Sequence, residues 1–368
     1  MKIYAVGGAI RDSLLGLPVS DIDYVVVGSS PEEMISQGFT AVGSDFPVFL
    51  HPKTKEEYAL ARTERKTGVG YKGFSFHTSP DVTLEEDLAR RDLTINAMAR
   101  EIDGQGSMVG PIIDPYGGQK DIEQNIFRHV SHAFVEDPLR ILRLARFGAR
   151  FEMFNVANET QQLLDKMVTA GELEHLVPER VWQELSRGLQ SHKPSRMLEI
   201  LQACGALRNI FPQDLNTQEV FQKTCQDINA ASHHDLGLQN RFAALMGWID
   251  FEQAQVWFDQ MRIPLDCRAY AEIFRIWRHH YLQLEKIDAQ NLLLWFDRAD
   301  AWRKPARIED LLKLADALGI QSTIWKIALN AALTVNGGEI AKQFAGQSGE
   351  VIGRELHLAR LKAIEAVL

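Results

Sequence analysis

A chain of 368 residues exceeds what one hydrophobic core ordinarily organises, so two or more domains are expected. Its 45% hydrophobic and 24% charged content is that of a folded globular protein, and a formal net charge of −9 argues against indiscriminate nucleic-acid binding by the whole surface, while leaving room for a local basic groove. The cysteines Cys204, Cys225 and Cys267 are widely spaced without metal-type pairing, the N-terminus lacks a signal-peptide core, and no apolar run reaches the roughly 18 residues of a membrane span. A cytoplasmic protein with free thiols is expected.

Ile3–Val6 reads as a short apolar strand that stops at Gly7-Gly8, and Ala9–Leu15 follows with helical spacing up to the stop signal Gly16-Leu17-Pro18. Strand, paired glycines and helix together let backbone N–H groups face an anion, with Arg11 in the first turn placed toward a phosphate; a plain tight turn has the same pattern. In Asp21-Ile22-Asp23-Tyr24-Val25-Val26-Val27-Gly28, the run Tyr24–Val27 is a buried strand. Side chains two apart on a strand share a face, so Asp21 and Asp23 project side by side. Two like charges there repel unless a cation sits between them, and Mg²⁺ prefers such oxygen ligands, although polar turn residues give the same spacing.

Ser30-Pro31-Glu32-Glu33 predicts a capping box and a helix to about Gln37, and Phe46–Leu50 and Tyr58–Ala61 predict strands of a small sheet. The basic, glycine-spaced stretch Arg62–Phe74 reads as a mobile loop, beside a polyanion or simply in solvent. Leu84–Ala99 has helical spacing and carries Arg90-Arg91-Asp92-Leu93-Thr94-Ile95-Asn96-Ala97, a polar set that suits either an internal salt bridge or a bound nucleotide. Ile113–Gly118 is turn chemistry before a helix near Lys120-Asp121. Asp137-Pro138 predicts a helix start, after which Arg140, Arg143, Arg146 and Arg150 recur every three or four residues as one stripe. Such a stripe destabilises an isolated helix by a few tenths of a kcal/mol per pair, roughly, so an anion facing it is expected. From residue 151 onward the pattern is almost wholly helical; Arg180, Trp182 and Glu184 are placed to brace the first domain or touch its ligand, and His233-His234 and His279-His280 read as surface histidines.

Taken together, Gly7-Gly8-x-x-Arg11-Asp12, Asp21-x-Asp23, Arg90-Arg91-Asp92-x-Thr94-x-Asn96-Ala97, Asp114-Pro115-x-x-Gly118 and Glu136-Asp137-x-x-Arg140 closely resemble, in this order, the motifs of class II tRNA nucleotidyltransferases, the CCA-adding enzymes. The resemblance covers roughly residues 1–190 and is looser beyond. It implies an α+β fold: a nucleotidyltransferase head with a small mixed β-sheet (1–140), then an all-helical neck (141–205), body (206–285) and tRNA-binding tail (286–368). It implies template-independent addition of C, C and A to the tRNA 3′ end from CTP and ATP, or a partial form adding only A or only the C residues. A bacterial poly(A) polymerase, which shares the head motifs, is a third reading; against it, residues 286–368 hold 11 Lys/Arg against 10 Asp/Glu, with no counterion-release advantage on general RNA.

By the same resemblance Asp21 and Asp23 are catalytic and hold Mg²⁺, Gly8 and Arg11 contact the triphosphate, Arg91 the nucleotide, and Asp92 the ribose. Asp137 and Arg140 form the base-reading pair: a guanidinium fork with a carboxylate matches the edges of cytosine and adenine, whereas guanine and uracil set like against like. Arg143 and Arg146 then face nucleotide or phosphate on the same stripe. One departure stands out. Some relatives carry a metal-dependent phosphohydrolase domain with a His-Asp signature, and Arg241–Met246 resembles the lead-in to it, but Gly247-Trp248 follows where His-Asp would stand. The pure protein is therefore expected to show no metal-dependent phosphate release from 2′,3′-cyclic nucleotides; release above a no-enzyme control overturns that expectation.

Overall fold

In the computed structural model the strand Lys2–Val6 (β1) is an interior strand of the N-terminal sheet, and the chain turns at Gly7 into helix α1 (Gly8–Leu14). The structure describes residues 1–42, 48–66, 74–283 and 287–368, with side chains of 64–66, 74–77 and 280–283 excepted. The chain divides into a unit of residues 1–184 with 196–210 and a unit of residues 185–195 with 211–368.

In the first unit follow β2 (Asp23–Val27), α2 (Pro31–Ser36), β3 (Thr40–Val42), β4 (Val48–Leu50), β5 (Glu57–Leu60), β6 (Arg62–Lys66), β7 (Phe74–Thr78), α3 (Leu84–Ala89), β8 (Ala99–Ile102) and β9 (Met108–Ile113). Next come α4 (Gly118–Glu123), β10 (Ile126–Phe127), α5 (Leu139–Arg150), β11 (Asn155–Val156), α6 (Asn158–Thr169), α7 (Pro178–Leu189, of which 185–189 belong to the second unit), α8 (Ser195–Ala203, of which Ser195 belongs to the second unit) and α9 (Leu207–Ile210). Seven strands form one sheet in the order β3-β4-β5-β2-β1-β8-β9. Only β2 and β5 pair in parallel within it, so the sheet is mixed, as expected. Alternation along β2 sends Tyr24 and Val26 to a core with Met34, Phe49 and Leu60, and Val25 to the opposite core with Val6, Leu88 and Ala97. Asp23 shares the face of Val25, and its backbone pairs with Val6, next to the glycine turn.

The helix starts were legible. Ser30 caps α2, and its backbone N–H donates to the Glu33 carboxylate at 3.2 Å; Thr83 and Glu86 build the same reciprocal box on α3. Other expectations need correction. The helix over Leu84–Ala99 stops at Ala89, because beyond it Leu93 is extended, its N–H bonded by the Asp92 carboxylate at 2.8 Å, and Thr94–Asn96 forms a single 3₁₀ turn. Arg62–Lys66 is a strand of a two-stranded hairpin with Phe74–Thr78 and not part of a loop; residues 67–73 lie outside the described residues, as do 46 and 47 at the start of the expected Phe46–Leu50 strand. Helix α4 begins at Gly118, since Asp114 accepts from the N–H groups of Gly118 and Gln119 at 2.7 and 2.9 Å.

The second unit is helical in its described residues: α10 (Gln218–His233), α11 (Leu238–Met246), α12 (Phe251–Gln260), α13 (Leu265–Gln283), α14 (Ala289–Arg298), α15 (Pro305–Ala317), α16 (Thr323–Leu333), α17 (Gly337–Gln343) and α18 (Gly349–Glu365). Its core includes Trp277, Trp295 and Trp325, all buried, with the last two rings 5.1 Å apart and edge-to-face.

Gly118 marks where α4 supports the 92–96 segment: a Cβ there would lie 2.4 Å from the Thr94 carbonyl oxygen, while Thr94 Oγ1 donates to buried Asp121 at 2.6 Å. Backbone cannot move aside as a side-chain tip can. Gly118→Ala is expected to destabilise the first unit by about 1–3 kcal/mol, read as a lower midpoint in urea unfolding followed by circular dichroism.

Candidate nucleotide and metal site

Asp21 and Asp23 are both exposed at the start of β2. Among the described residues neither has a Lys, Arg or His within ion-pair distance, and the one hydrogen bond to either is Ser20 Oγ donating to Asp21 at 3.1 Å. Two such carboxylates, uncommitted to protein cations, are a donor set of hard oxygens that suits a divalent metal ion. Beside them, Gly7 holds φ +70, a left-handed conformation that glycine adopts without strain. A Cβ on Gly7 would also lie 3.0 Å from Arg91 Nη1, so the bare backbone lets that guanidinium approach the turn.

Behind this surface lies a buried network of charges. Asp92, 6% exposed, accepts from Leu93 N–H, from Asn96 Nδ2 at 3.0 Å, and from both Nε and Nη2 of Arg143 at 2.8 Å. Asn96 Oδ1 in turn accepts from Arg11 Nη1 at 2.5 Å. Arg11, 4% exposed, is paired with Asp12 and flanked by the rings of Phe147 and Phe151 at 5.1 and 5.0 Å. Asp12 also accepts from Arg150 at 2.8 Å. Glu184, 4% exposed on α7, accepts from Arg146. Asp87, fully buried on α3, carries Arg90 at 2.8 Å and Arg91 at 3.3 Å.

These contacts revise the expected roles. The arginine stripe of α5 does meet anions, but they are protein carboxylates: Arg143 has Asp92, Arg146 has Glu184, and Arg150 has Asp12. Arg11 does not point out to a phosphate; it is a buried strut between α1, Asn96 and α5. Asp92 is the hub of the network, with both oxygens engaged inside the protein, rather than an open ribose contact. Asp137 and Arg140 are each engaged within the protein. Asp137 accepts from Arg180 at 2.7 Å, while Arg140, 8% exposed, donates to the carbonyls of Ala133 and Arg90, each at 2.6 Å. Gly8, the first residue of α1, and Arg91, beside Gly7, stand at the glycine turn. Sequence reasoning placed Arg150 in the anion-facing stripe but missed Asp87 and Asp12 as members of this network. The three- and four-residue spacing from Asp87 to Arg90 and Arg91 was a usable signal; Asp12, 138 positions from Arg150, offered none.

Burial pushes the Asp92 carboxyl upward, but the charge of Arg143, hydrogen bonds from Asn96 and Arg143, and the charge of Arg140 outweigh it, so the group is held well below the ordinary carboxylate range. Asp92 in turn raises Arg143 above its usual value. In the second unit, Gly247 and Trp248 serve a different arrangement: the Trp248 indole N–H and Arg278 donate to Asp227 at 2.7 and 2.6 Å, and the Arg278 guanidinium lies 3.7 Å from the indole centroid. His233 and His234 are exposed at the end of α10, and among the described residues no group of three or more His, Cys, Asp or Glu could hold a metal ion.

Comparison with known proteins places this geometry. Residues 3–128 match the family described as poly A polymerase head domain, and residues 153–214 match that described as the probable RNA- and SrmB-binding site of polymerase A. The "Multifunctional CCA protein" of Burkholderia cenocepacia (strain HI2424) is 47% identical over 410 aligned positions, spanning 100% of this chain and 99% of the relative; that of Paraburkholderia phymatum is also 47% identical, spanning 98% of the relative. A solved CCA-adding enzyme in complex with CTP has a TM-score of 0.68 at 24% identity, over 99% of this chain and 87% of that one. The Thermotoga maritima CCA-adding enzyme complexed with tRNA has a TM-score of 0.66 at 23% identity, again over 99% and 87%, a likeness of fold.

Removing the Asp92 charge leaves Arg143 without its main partner. Asp92→Asn is expected to cost about 3 kcal/mol, the low end for breaking a buried pair because Arg143 keeps some access to water. The folded pKa is depressed, so this stabilisation is present above the unfolded value of about 3.9 and is lost as pH falls below it. Urea midpoints measured from about pH 5 down to pH 2 should therefore fall more steeply for the wild type than for Asp92→Asn; parallel slopes would remove Asp92 from the acid limb.

Proposed function

The chain belongs to the family of CCA-adding tRNA nucleotidyltransferases, and from that membership we propose that it adds C, C and A to tRNA 3′ ends from CTP and ATP, releasing pyrophosphate without a nucleic-acid template. The observation that carries the proposal is full-length identity of 47% to the Burkholderia CCA protein. Asp21 and Asp23, without a cationic partner among the described residues and beside the Gly7-Gly8 turn, support the same reading.

Divalent metal use is typical of the family, and Asp21 and Asp23 are the residues that would hold the ions, with Mg²⁺ the natural fit for carboxylate oxygens. Bound there, the metal supplies charge neutralisation at the triphosphate and activation of the attacking 3′-hydroxyl. The remaining residues divide by exposure and engagement. Gly8 and Arg91 stand where a triphosphate meets the glycine turn. Arg11, Asp92, Arg143 and Arg146 form the rigid wall behind it, which positions the nucleotide without reorganising during the reaction. Asp137 and Arg140 face the base, the carboxylate as acceptor and the guanidinium as donor, so that cytosine and adenine fit while uracil and guanine leave polar groups opposed. Residues 141–368, as neck, body and tail, cradle the tRNA acceptor end.

Transcripts ending one, two or three nucleotides short of CCA, incubated with labelled CTP or ATP separately and with Mg²⁺, read this out directly. Extension of the three-short transcript by CTP, and of the one-short transcript by ATP, is the expected result. Addition of only one kind of nucleotide identifies a partial enzyme, and long A-tracts on a non-tRNA primer identify a poly(A) polymerase. Asp21→Ala/Asp23→Ala is expected to abolish extension while tRNA binding in a filter assay stays within about twofold, since these residues contribute no positive charge to the RNA.

A further inference from the structure

We propose that Arg180 sets the nucleotide specificity of the reaction by fixing the angle of the Asp137 carboxylate; it is a positioning residue that acts through Asp137. The inference rests on the reading above that Asp137 and Arg140 face the base. Arg180 belongs to α7 and Asp137 to the turn before α5, 43 positions earlier. The guanidinium meets the carboxylate as a fork, Nη2 to Oδ2 at 2.7 Å and Nη1 to Oδ1 at 3.4 Å. Oδ1 also accepts from the Leu139 N–H at 3.1 Å, at the start of α5.

A carboxylate needs such help. Its terminal torsion has a broad, two-fold profile instead of staggered wells, so nothing in the side chain itself decides which way its oxygens face. The fork and the Leu139 N–H decide it, from two different elements. A carboxylate offers about four acceptor directions. Among the described residues Arg180 and Leu139 occupy three of them, which leaves one. A single remaining acceptor suits the amino group that cytosine and adenine each present, and opposes the oxygen that uracil and guanine hold at the corresponding position. The other half of the pair is anchored independently, since Arg140 donates to the carbonyls of Ala133 and Arg90. Both halves of the base-reading pair are thus held before a nucleotide arrives, a condition for discriminating bases by hydrogen bonding alone.

The Arg180–Asp137 pair is partly exposed, with side-chain exposures of 28% and 21%, so its contribution to folding is small and its loss should register in selectivity. The test uses the full chain and a tRNA transcript lacking CCA, with kcat and KM measured for CTP and UTP in wild type, Arg180→Gln, Arg180→Lys, Asp137→Ala and the double variant Asp137→Ala/Arg180→Gln. Arg180→Gln is expected to raise KM for CTP about tenfold, leave kcat within about threefold, and cut the CTP-over-UTP preference in kcat/KM by about tenfold or more. Arg180→Lys should fall between, because an ammonium keeps the charge and lacks the fork. In the Asp137→Ala background, Arg180→Gln should change nothing further, the signature of action through Asp137.

Equal loss of preference from Arg180→Gln in both backgrounds overturns the inference, as does an unchanged preference in Arg180→Gln when Asp137→Ala loses it. Tighter CTP binding by Arg180→Gln also overturns it, making the pair a latch that a nucleotide must break. If Asp137→Ala keeps the wild-type preference, the base-reading assignment itself fails, and the inference with it. Melting temperatures of all variants separate these outcomes from unfolding, and Arg180→Lys keeps the test decisive should Arg180→Gln fold poorly.

Discussion

The carboxylate of Asp92 is the point on which the first unit depends. It is buried with both oxygens taken by Leu93, Asn96 and Arg143, and through Asn96 it reaches Arg11. Burying a carboxylate costs more than one ordinary hydrogen bond returns, so such a group persists only where several donors and a cation converge. Here they come from the 92–96 segment and from α5, so the ion cluster ties that segment to the helix. A polar hub of this kind leaves little freedom to the chain around it. That rigidity is what a site needs if it must choose a base without a template strand.

The same cluster explains why α5 can carry arginines at three- and four-residue steps. On an isolated helix they repel one another. In the fold each of the last three has a carboxylate from another element: Arg143 from the 92–96 segment, Arg146 from α7, and Arg150 from α1. The stripe works as a spine that gathers three separate elements, and its charges are balanced before any phosphate arrives. Asp21 and Asp23, on the exposed end of β2, have no cation within ion-pair distance among the described residues. Under the proposed function, a neutralised interior with two carboxylates at its rim would take a cation at the rim. This division, a balanced wall and an unbalanced rim, agrees with metal-assisted nucleotidyl transfer.

Much of this was legible in the linear chain, and the reasons are local. The capping box at Ser30 and the apolar runs Tyr24–Val27 and Ile3–Val6 depend on neighbours a few residues away, so spacing alone announces them. The paired aspartates and paired glycines were recognisable as motifs in a given order, and their adjacency followed once β1 and β2 paired with Val6 opposite Asp23. Where the reading went astray, at the length of α3 and at the hairpin of β6 and β7, the winning interaction was a side-chain contact or a strand partner that periodicity does not encode.

What the sequence determined by itself was the set of chemical groups and the family order in which they occur: two carboxylates for a cation, glycines for close approach, and arginines on one helix face. Which of those groups stay available was decided by the tertiary structure. Arg11 and Asp92 sit inside motifs that suggest ligand contact, yet folding consumes their hydrogen-bonding capacity within the protein; Asp137 takes a partner from α7, 43 positions away. A charged group's role depends on what neutralises it. That partner is chosen by three-dimensional packing, where proximity is independent of distance along the chain.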